Sequence, residues 1–230
     1  MPTTTKLRAA MLALVLLSAP GLAAAQSLAL PDAMAQAGRL LDDGKFADAE
    51  ALAKQIVGAL AADAEAGKET AEAVGALNTL AYAIAGQGKL KEALPLMERI
   101  AAARSRLLGA GHPDVAQALN DQGALLQQLG EFAKAEAVHA QALAIREKAL
   151  PRSEGQVAQS LNNLAQMKKK LGKTDEVEPL LRQAAAAQEK ALGPNSADLG
   201  DTRAGMGVIG VDRRLPILPR ARRHADAPQR

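Results

Sequence analysis

Leu119-Asn120-Asp121-Gln122-Gly123-Ala124-Leu125-Leu126-Gln127-Gln128-Leu129-Gly130-Glu131-Phe132-Ala133-Lys134-Ala135-Glu136 is the stretch that decides the fold, because its outline returns at a fixed distance on either side. Leu77-Asn78, Leu119-Asn120 and Leu161-Asn162 are evenly spaced along the chain. Their interval falls within the range of roughly 20–50 residues that marks a repeat architecture, in which each unit packs only on its neighbours. A glycine turn with a small residue after it moves in step: Gly44-Lys45-Phe46 with Ala49, Gly88-Lys89-Leu90 with Ala93, Gly130-Glu131-Phe132 with Ala135, and Gly172-Lys173-Thr174 with Val177. The first interval, from Gly44 to Gly88, is two residues longer, a slack that a loop absorbs cheaply.

Upstream of the turns, apolar residues recur at helical steps: Leu77, Leu80, Ala81 and Ile84, then Leu119, Gly123 and Leu126, then Leu161, Leu164 and Ala165. Downstream the same spacing pairs Leu52 with Ile56, Leu96 with Ile100, Val138 with Ala142 and Leu180 with Ala184. Glycine enters the left-handed conformation without a Cβ penalty and so ends the first helix of each pair; the small residue lets the second lie close against it. Between units, Leu108-Gly109 with His112-Pro113-Asp114, Leu150-Pro151 with Ser153, and Leu192-Gly193-Pro194 with Asn195-Ser196 read as helix stops followed by helix starts. The fold class is therefore all-α, an α-solenoid of antiparallel helix hairpins, with units at about 31–66, 69–109, 112–151 and 153–193.

The ends differ from the body. Lys6 and Arg8, the apolar run Ala9 to Leu17 and the small residues Ala23-Ala24-Ala25 read as a signal peptide over 1–25, with the mature chain starting at Gln26 and a periplasmic or secreted destination. The run is too short to span a bilayer, which takes about 20 residues. With no cysteine there is no lipidation site, disulfide or thiolate metal site. The net charge of +3 misleads, because the leader holds two of the 28 basic residues and the tail from Arg203 holds seven, with two of the 25 acidic ones, which leaves the body at −4. Nucleic acid is thus not an expected partner.

These residues resemble the tetratricopeptide repeat family, in the 42-residue form found in kinesin light chains and many bacterial proteins. The resemblance is carried by Gly111-His112-Pro113-Asp114-Val115-Ala116, Leu119-Asn120, Gly130, Ala135-Glu136 and Ala144-Ile145-Arg146-Glu147-Lys148, and again by Leu161-Asn162-Asn163-Leu164-Ala165 and Leu171-Gly172. It covers roughly 31–202 within a repeat domain at 26–202, and it implies a right-handed superhelix whose first helices line a concave surface for an extended peptide or a partner helix. Lys168 departs from the family pattern where an aromatic closes the hairpin, and Ile84 and Leu126 stand at the matching sites. Phe46, Tyr82 and Phe132 are the only aromatics, so an alanine-rich core of modest stability is expected.

On the concave face the resemblance points to Asn78, Asn120 and Asn162, each one residue past a buried leucine and hence rotated about 100° from it. An amide there either reads a peptide main chain or satisfies a carbonyl of the adjacent repeat, and the two are compatible. Tyr82, Gln117, Ala124, Gln127, Gln159, Gln166 and Lys169 surround them as a polar, nearly neutral strip. Lys168-Lys169-Lys170 reads as a solvated helix end. Glu136 and His139 form a single Glu-x-x-His pair without the second copy that a di-iron site requires, so packing or surface is the expected role. No catalytic, cofactor or metal residues are expected. The leading function is a non-catalytic interaction scaffold; the alternatives are a self-associating envelope module joined through its C-terminal unit, or a regulatory repeat region acting with a separate enzyme.

A fifth unit begins at Asn195 and then fails: Arg203 and Ala204 stand where leucine and asparagine belong, and 203–230 is an irregular Arg/Pro-rich tail. The end is either a partner-docking edge or a truncation, with a frame shift near Gly210 as the leading reading and a genuine Arg-rich tail that binds anionic surfaces as its rival. Translating the tail's coding sequence in the other frames tests the shift: Gly-x-Tyr and Ala-Glu at repeat spacing are expected, and their absence removes the idea.

Overall fold

In the computed structural model, residues 29–63, 70–149 and 153–192 are described; the leader, two inter-repeat links and the tail with its fifth unit lie outside the described residues. The described chain is helical throughout: α1 Leu30–Asp42, α2 Phe46–Asp63, α3 Ala71–Gly86, α4 Leu90–Leu108, α5 Pro113–Gln128, α6 Phe132–Lys148, α7 Glu154–Lys170, a 3-10 turn Thr174–Glu176 and α8 Val177–Leu192. Two compact units result, divided after Gly130. The turn glycines Gly44, Gly88, Gly130 and Gly172 have φ of 72°, 78°, 78° and 73°, the left-handed region that their recurrence predicts. Ser153, a cap that the sequence suggests, accepts from the Gln156 amide; Thr70 and His112 Nδ1 cap two other helix starts, accepting from the amides of Ala73 and Asp114.

In the first unit α1 pairs with α2 and α3 with α4, while α2 packs on α3 and α4 on α5. Val74, Leu77, Leu80 and Ile84 of α3 meet Met97 and Ile100 of α4 in one core cluster, with Ala118 and Leu125 of α5 joining it. Ala49 and Ala93, the small residues after the glycine turns, are wholly buried, as expected of positions where two helix backbones approach closely. Phe46 shows how tight this is: a Cβ on Gly86 would lie 2.5 to 2.8 Å from three atoms of its ring.

In the second unit α6 packs on α7 and α7 on α8. Val157, Leu161, Ala184 and Ala187 form one cluster, and Ala165, Val177, Leu181 and Ala185 a second. The inward stripe of α6 differs from the sequence reading. Val138 is only half-buried, and the buried positions are Ala135, His139, Ala142 and Arg146. The stripe is one residue further round, and two of its members are polar, which a search for apolar periodicity passes over. His139 holds the place that Met97 and Leu181 hold one repeat earlier and one repeat later.

Polar contacts between successive hairpins repeat with the same register. Glu50 on α2 accepts from Gln87 and Lys89 at the following turn, besides Lys54, and these contacts, Lys54 first, hold its carboxyl down at about 2. Glu136 on α6 is held by Lys168 and, at 2.8 Å, by Lys173, which likewise lower its pKa. Arg104 donates to the Asp114 carbonyl at 3.2 Å; one repeat on, Arg146 donates to the Gln156 carbonyl at 3.0 Å, and also to Ser160 Oγ at 2.8 Å. The lysine run is therefore not uniformly solvated. Lys169 and Lys170 are exposed, the latter 5.8 Å from the Phe132 ring centre, but Lys168 is largely buried between Glu136 and Glu176. An ion pair thus fills the site where the family places an aromatic.

Two outcomes follow for stability. Gly86→Ala is expected to lower the urea midpoint, because displacing the Phe46 ring costs about 1–3 kcal/mol against a helix-propensity gain of at most about 1 kcal/mol. Gly38→Ala and Gly58→Ala, with open space around the new Cβ, should raise it; a stabilised Gly86→Ala protein would show that the ring moves freely. His139 is 1% exposed, neither ring nitrogen meets a partner, and burial, with Arg146 adding to it, pushes its pKa down from 6.5 to about 4. Its neutral form is the one that fits, so stability is lost as pH falls below 6.5. The loss between pH 6.5 and 4.5 is on the order of 2 kcal/mol. Glu50 and Glu136, with lowered pKa values, contribute to acid sensitivity only below about 4.5. Urea unfolding of His139→Met at the two pH values should show little of this fall; an equal fall in both proteins removes His139 as its source.

Candidate functional site

The first unit carries a groove of about 530 Å³ where α1, α3 and α5 come together with the starts of α2 and α4. It arises from the repeat itself. First helices lie side by side, and the short residues Ala85, Gly86 and Ala124 leave space between them. Met97 and Leu125, both buried, and the half-buried Leu41, Phe46 and Leu90 give an apolar floor. Asp42, Tyr82, Asp121 and Gln128 stand on its rim.

Tyr82 is 39% exposed, high for a large ring, and is fixed by its hydroxyl, which donates to Asp121 Oδ2 at 2.7 Å. Gln117 Nε2, one helical turn before Asp121, donates to the other oxygen at 2.9 Å. Burial, and after it the hydrogen bond to Asp121, pushes the Tyr82 phenol above its ordinary range, with Arg104 acting weakly the other way. The phenol therefore stays a donor. Asp42 differs from Asp121: it is exposed, ends α1, and has no hydrogen-bond or ion-pair partner among the described residues, whereas the adjacent Asp43 is paired with Lys45 at 3.0 Å. A carboxylate at a helix C-terminus is disfavoured by the dipole, typically by about 0.3–1 kcal/mol.

Of the residues that the sequence places around the asparagine ladder, Tyr82 and Ala124 line this groove. Gln117 supports it through Asp121. Asn78 and Gln127 are half-buried in the first unit, and Asn120 is 6% exposed, within the packing. In the second unit Asn162 is half-buried and Gln159, Gln166 and Lys169 are exposed, with Gln159 Oε1 accepting from Arg146 at 3.2 Å. The groove of the first unit has an apolar floor and an acidic rim. Asp42 and Asp121 escape the repeat logic because neither recurs with the period; Thr79 and Asn163 stand at the positions matching Asp121. A signal was present, since Asp121 directly follows the Leu-Asn pair and Tyr82 stands four residues after the preceding one. Among the described residues no three His, Asp or Glu side chains gather to hold a metal ion.

Two tetratricopeptide repeat profiles match residues 72–148 and 157–198, together more than half of the chain. No curated protein matches it in sequence. Among crystal structures, it is similar to the nearly identical TPR-like repeats of a protein designated a kinesin light chain in Podosopora anserina, at 25% identity and a TM-score of 0.67, covering 78% of this chain and 84% of that one. A single-residue variant of those repeats gives 24%, 0.68 and the same coverage. BtubC (BKLC) from P. vanneervenii gives 20% and 0.66, over 78% of this chain and 71% of its own, a likeness of fold alone. The periodic hairpins, the left-handed turn glycines and these matches make the chain a member of the tetratricopeptide repeat family.

Proposed function

We propose that the protein is a non-catalytic interaction module that holds a segment of another protein in the groove of its first unit, and that it works in the periplasm or outside the cell. The groove carries the reading: an apolar floor flanked by hydrogen-bonding groups is what an extended segment needs to bury side chains while its polar atoms stay satisfied. The family supports it, since its repeats generally serve as protein-interaction scaffolds. Export rests on the leader with Lys6, Arg8 and the Ala23-Ala24-Ala25 cleavage site. No described helix is long and apolar enough to cross a membrane. Asn78, Gln117 and Gln127 are proposed as further contacts in the first unit, and Gln159, Asn162, Gln166 and Lys169 as partner contacts on the second unit by itself. Asn120 is proposed as a packing residue, a reading supported by its 6% exposure.

Pull-down from an envelope extract separates these roles. Ala124→Trp, which fills the groove from a half-buried position, is expected to lose the captured partners while keeping its helical circular dichroism. Asn78→Ala should weaken capture without loss of stability. Asn120→Ala should lower stability by about 1–2 kcal/mol and leave capture otherwise intact. Full capture by folded Ala124→Trp overturns the groove as the docking site, and an immunoblot signal confined to the cytosolic fraction overturns export.

A further inference from the structure

From the chemistry of the same groove, and resting on its being the docking site, we infer that the segment it selects presents an arginine flanked by apolar residues. The two charged residues in the lining, Asp42 and Asp121, are both acidic. Asp42 has no partner among the described residues and sits at the end of α1 where the helix dipole opposes it, so an incoming cation would relieve a charge that the fold leaves uncompensated. Asp121 accepts one hydrogen bond on each oxygen, which leaves a lone pair on each for a further donor. Three cations near the groove are engaged elsewhere, Lys45 with Asp43, Lys89 with Glu50, and Arg104 with the Asp114 carbonyl, and Arg39, three residues before Asp42 on α1, forms no ion pair with it among the described residues.

Arginine fits this arrangement better than lysine. Tyr82 offers an exposed ring held in place through its hydroxyl, and a planar guanidinium stacks on such a face while its fork of donors reaches a carboxylate. The floor of Leu41, Phe46, Leu90, Met97 and Leu125 has nothing to offer a charge, so the residues beside the arginine would be apolar. An acidic segment would be repelled by both rim carboxylates, and a purely apolar one would leave Asp42 unrelieved.

Selection of a displayed random-peptide library on the immobilised full chain tests this. Enrichment of arginine next to Leu, Met or Phe is expected. Fluorescence anisotropy with a labelled enriched peptide should give a Kd raised about tenfold by Asp42→Asn or Asp121→Asn, raised again by salt, and raised when citrulline replaces the arginine. Asp42 is exposed, so its variant keeps the test valid even if Asp121→Asn destabilises the unit. Peptides that Ala124→Trp excludes but that carry no arginine bias, or that ignore both Asn substitutions, overturn the inference and leave the groove reading standing. An empty selection, or peptides indifferent to Ala124→Trp, overturns both. Self-association in light scattering that Ala124→Trp abolishes would make a second copy of the chain the occupant and overturn the arginine assignment.

Discussion

Close approach of helices at alanine is the constraint from which the rest of the structure follows. Ala49, Ala53, Ala93, Ala135 and Ala184 are fully buried, and at each a larger side chain would push helices apart. Near-contact of backbones is what allows a chain with three aromatic residues to pack at all, since the loss of bulky side chains is offset by proximity. It also sets the geometry of the surface. First helices held this close by small residues leave a trough between them, and the groove of the first unit is that trough where Ala85, Gly86 and Ala124 stand in place of bulk.

The repeat period and the inward faces of the first helices were legible in the sequence because both are statements about shape. Leu77, Leu80, Ala81 and Ile84 are all buried, as their spacing implies, and so are Leu161, Leu164 and Ala165. What escaped is polar. His139 and Arg146 occupy inward positions of α6, yet apolar periodicity treats them as interruptions. Arg146 could have been found, since Arg104 precedes it by one full repeat and makes the same bond to the next helix's first turn. His139 could not, because its equivalents are Met97 and Leu181 and nothing at that position announces a polar substitution. The groove was legible only through Tyr82 and Ala124: its acidic rim joins residues from helices far apart in sequence that follow no period.

Electrostatics divides the charged residues into two populations. Glu50, Glu136 and Lys168 are structural, each largely buried and met by opposite charges or donors from its own or a neighbouring helix or turn. Asp42 is the contrary case, exposed and unmet among the described residues. A protein that neutralises its buried carboxylates while leaving one bare beside an apolar groove concentrates negative potential there, and this orients an approaching chain before any contact forms.

The turn pairings also bear on the order of the repeats. Glu50 meets Lys89 and Glu136 meets Lys173, but the second hairpin carries Leu94 at the glutamate position, and the turn after it carries Glu131 at the lysine position. Hairpins built on one plan are thus not interchangeable. Setting the Glu131 turn against Glu50 would bring two carboxylates together, and setting the Lys89 turn against Leu94 would strand a cation on an apolar side chain. A shuffled array, or a helix exchange between copies that skipped a hairpin, would meet this mismatch, so these few charges act as an address that keeps modules of one plan in sequence.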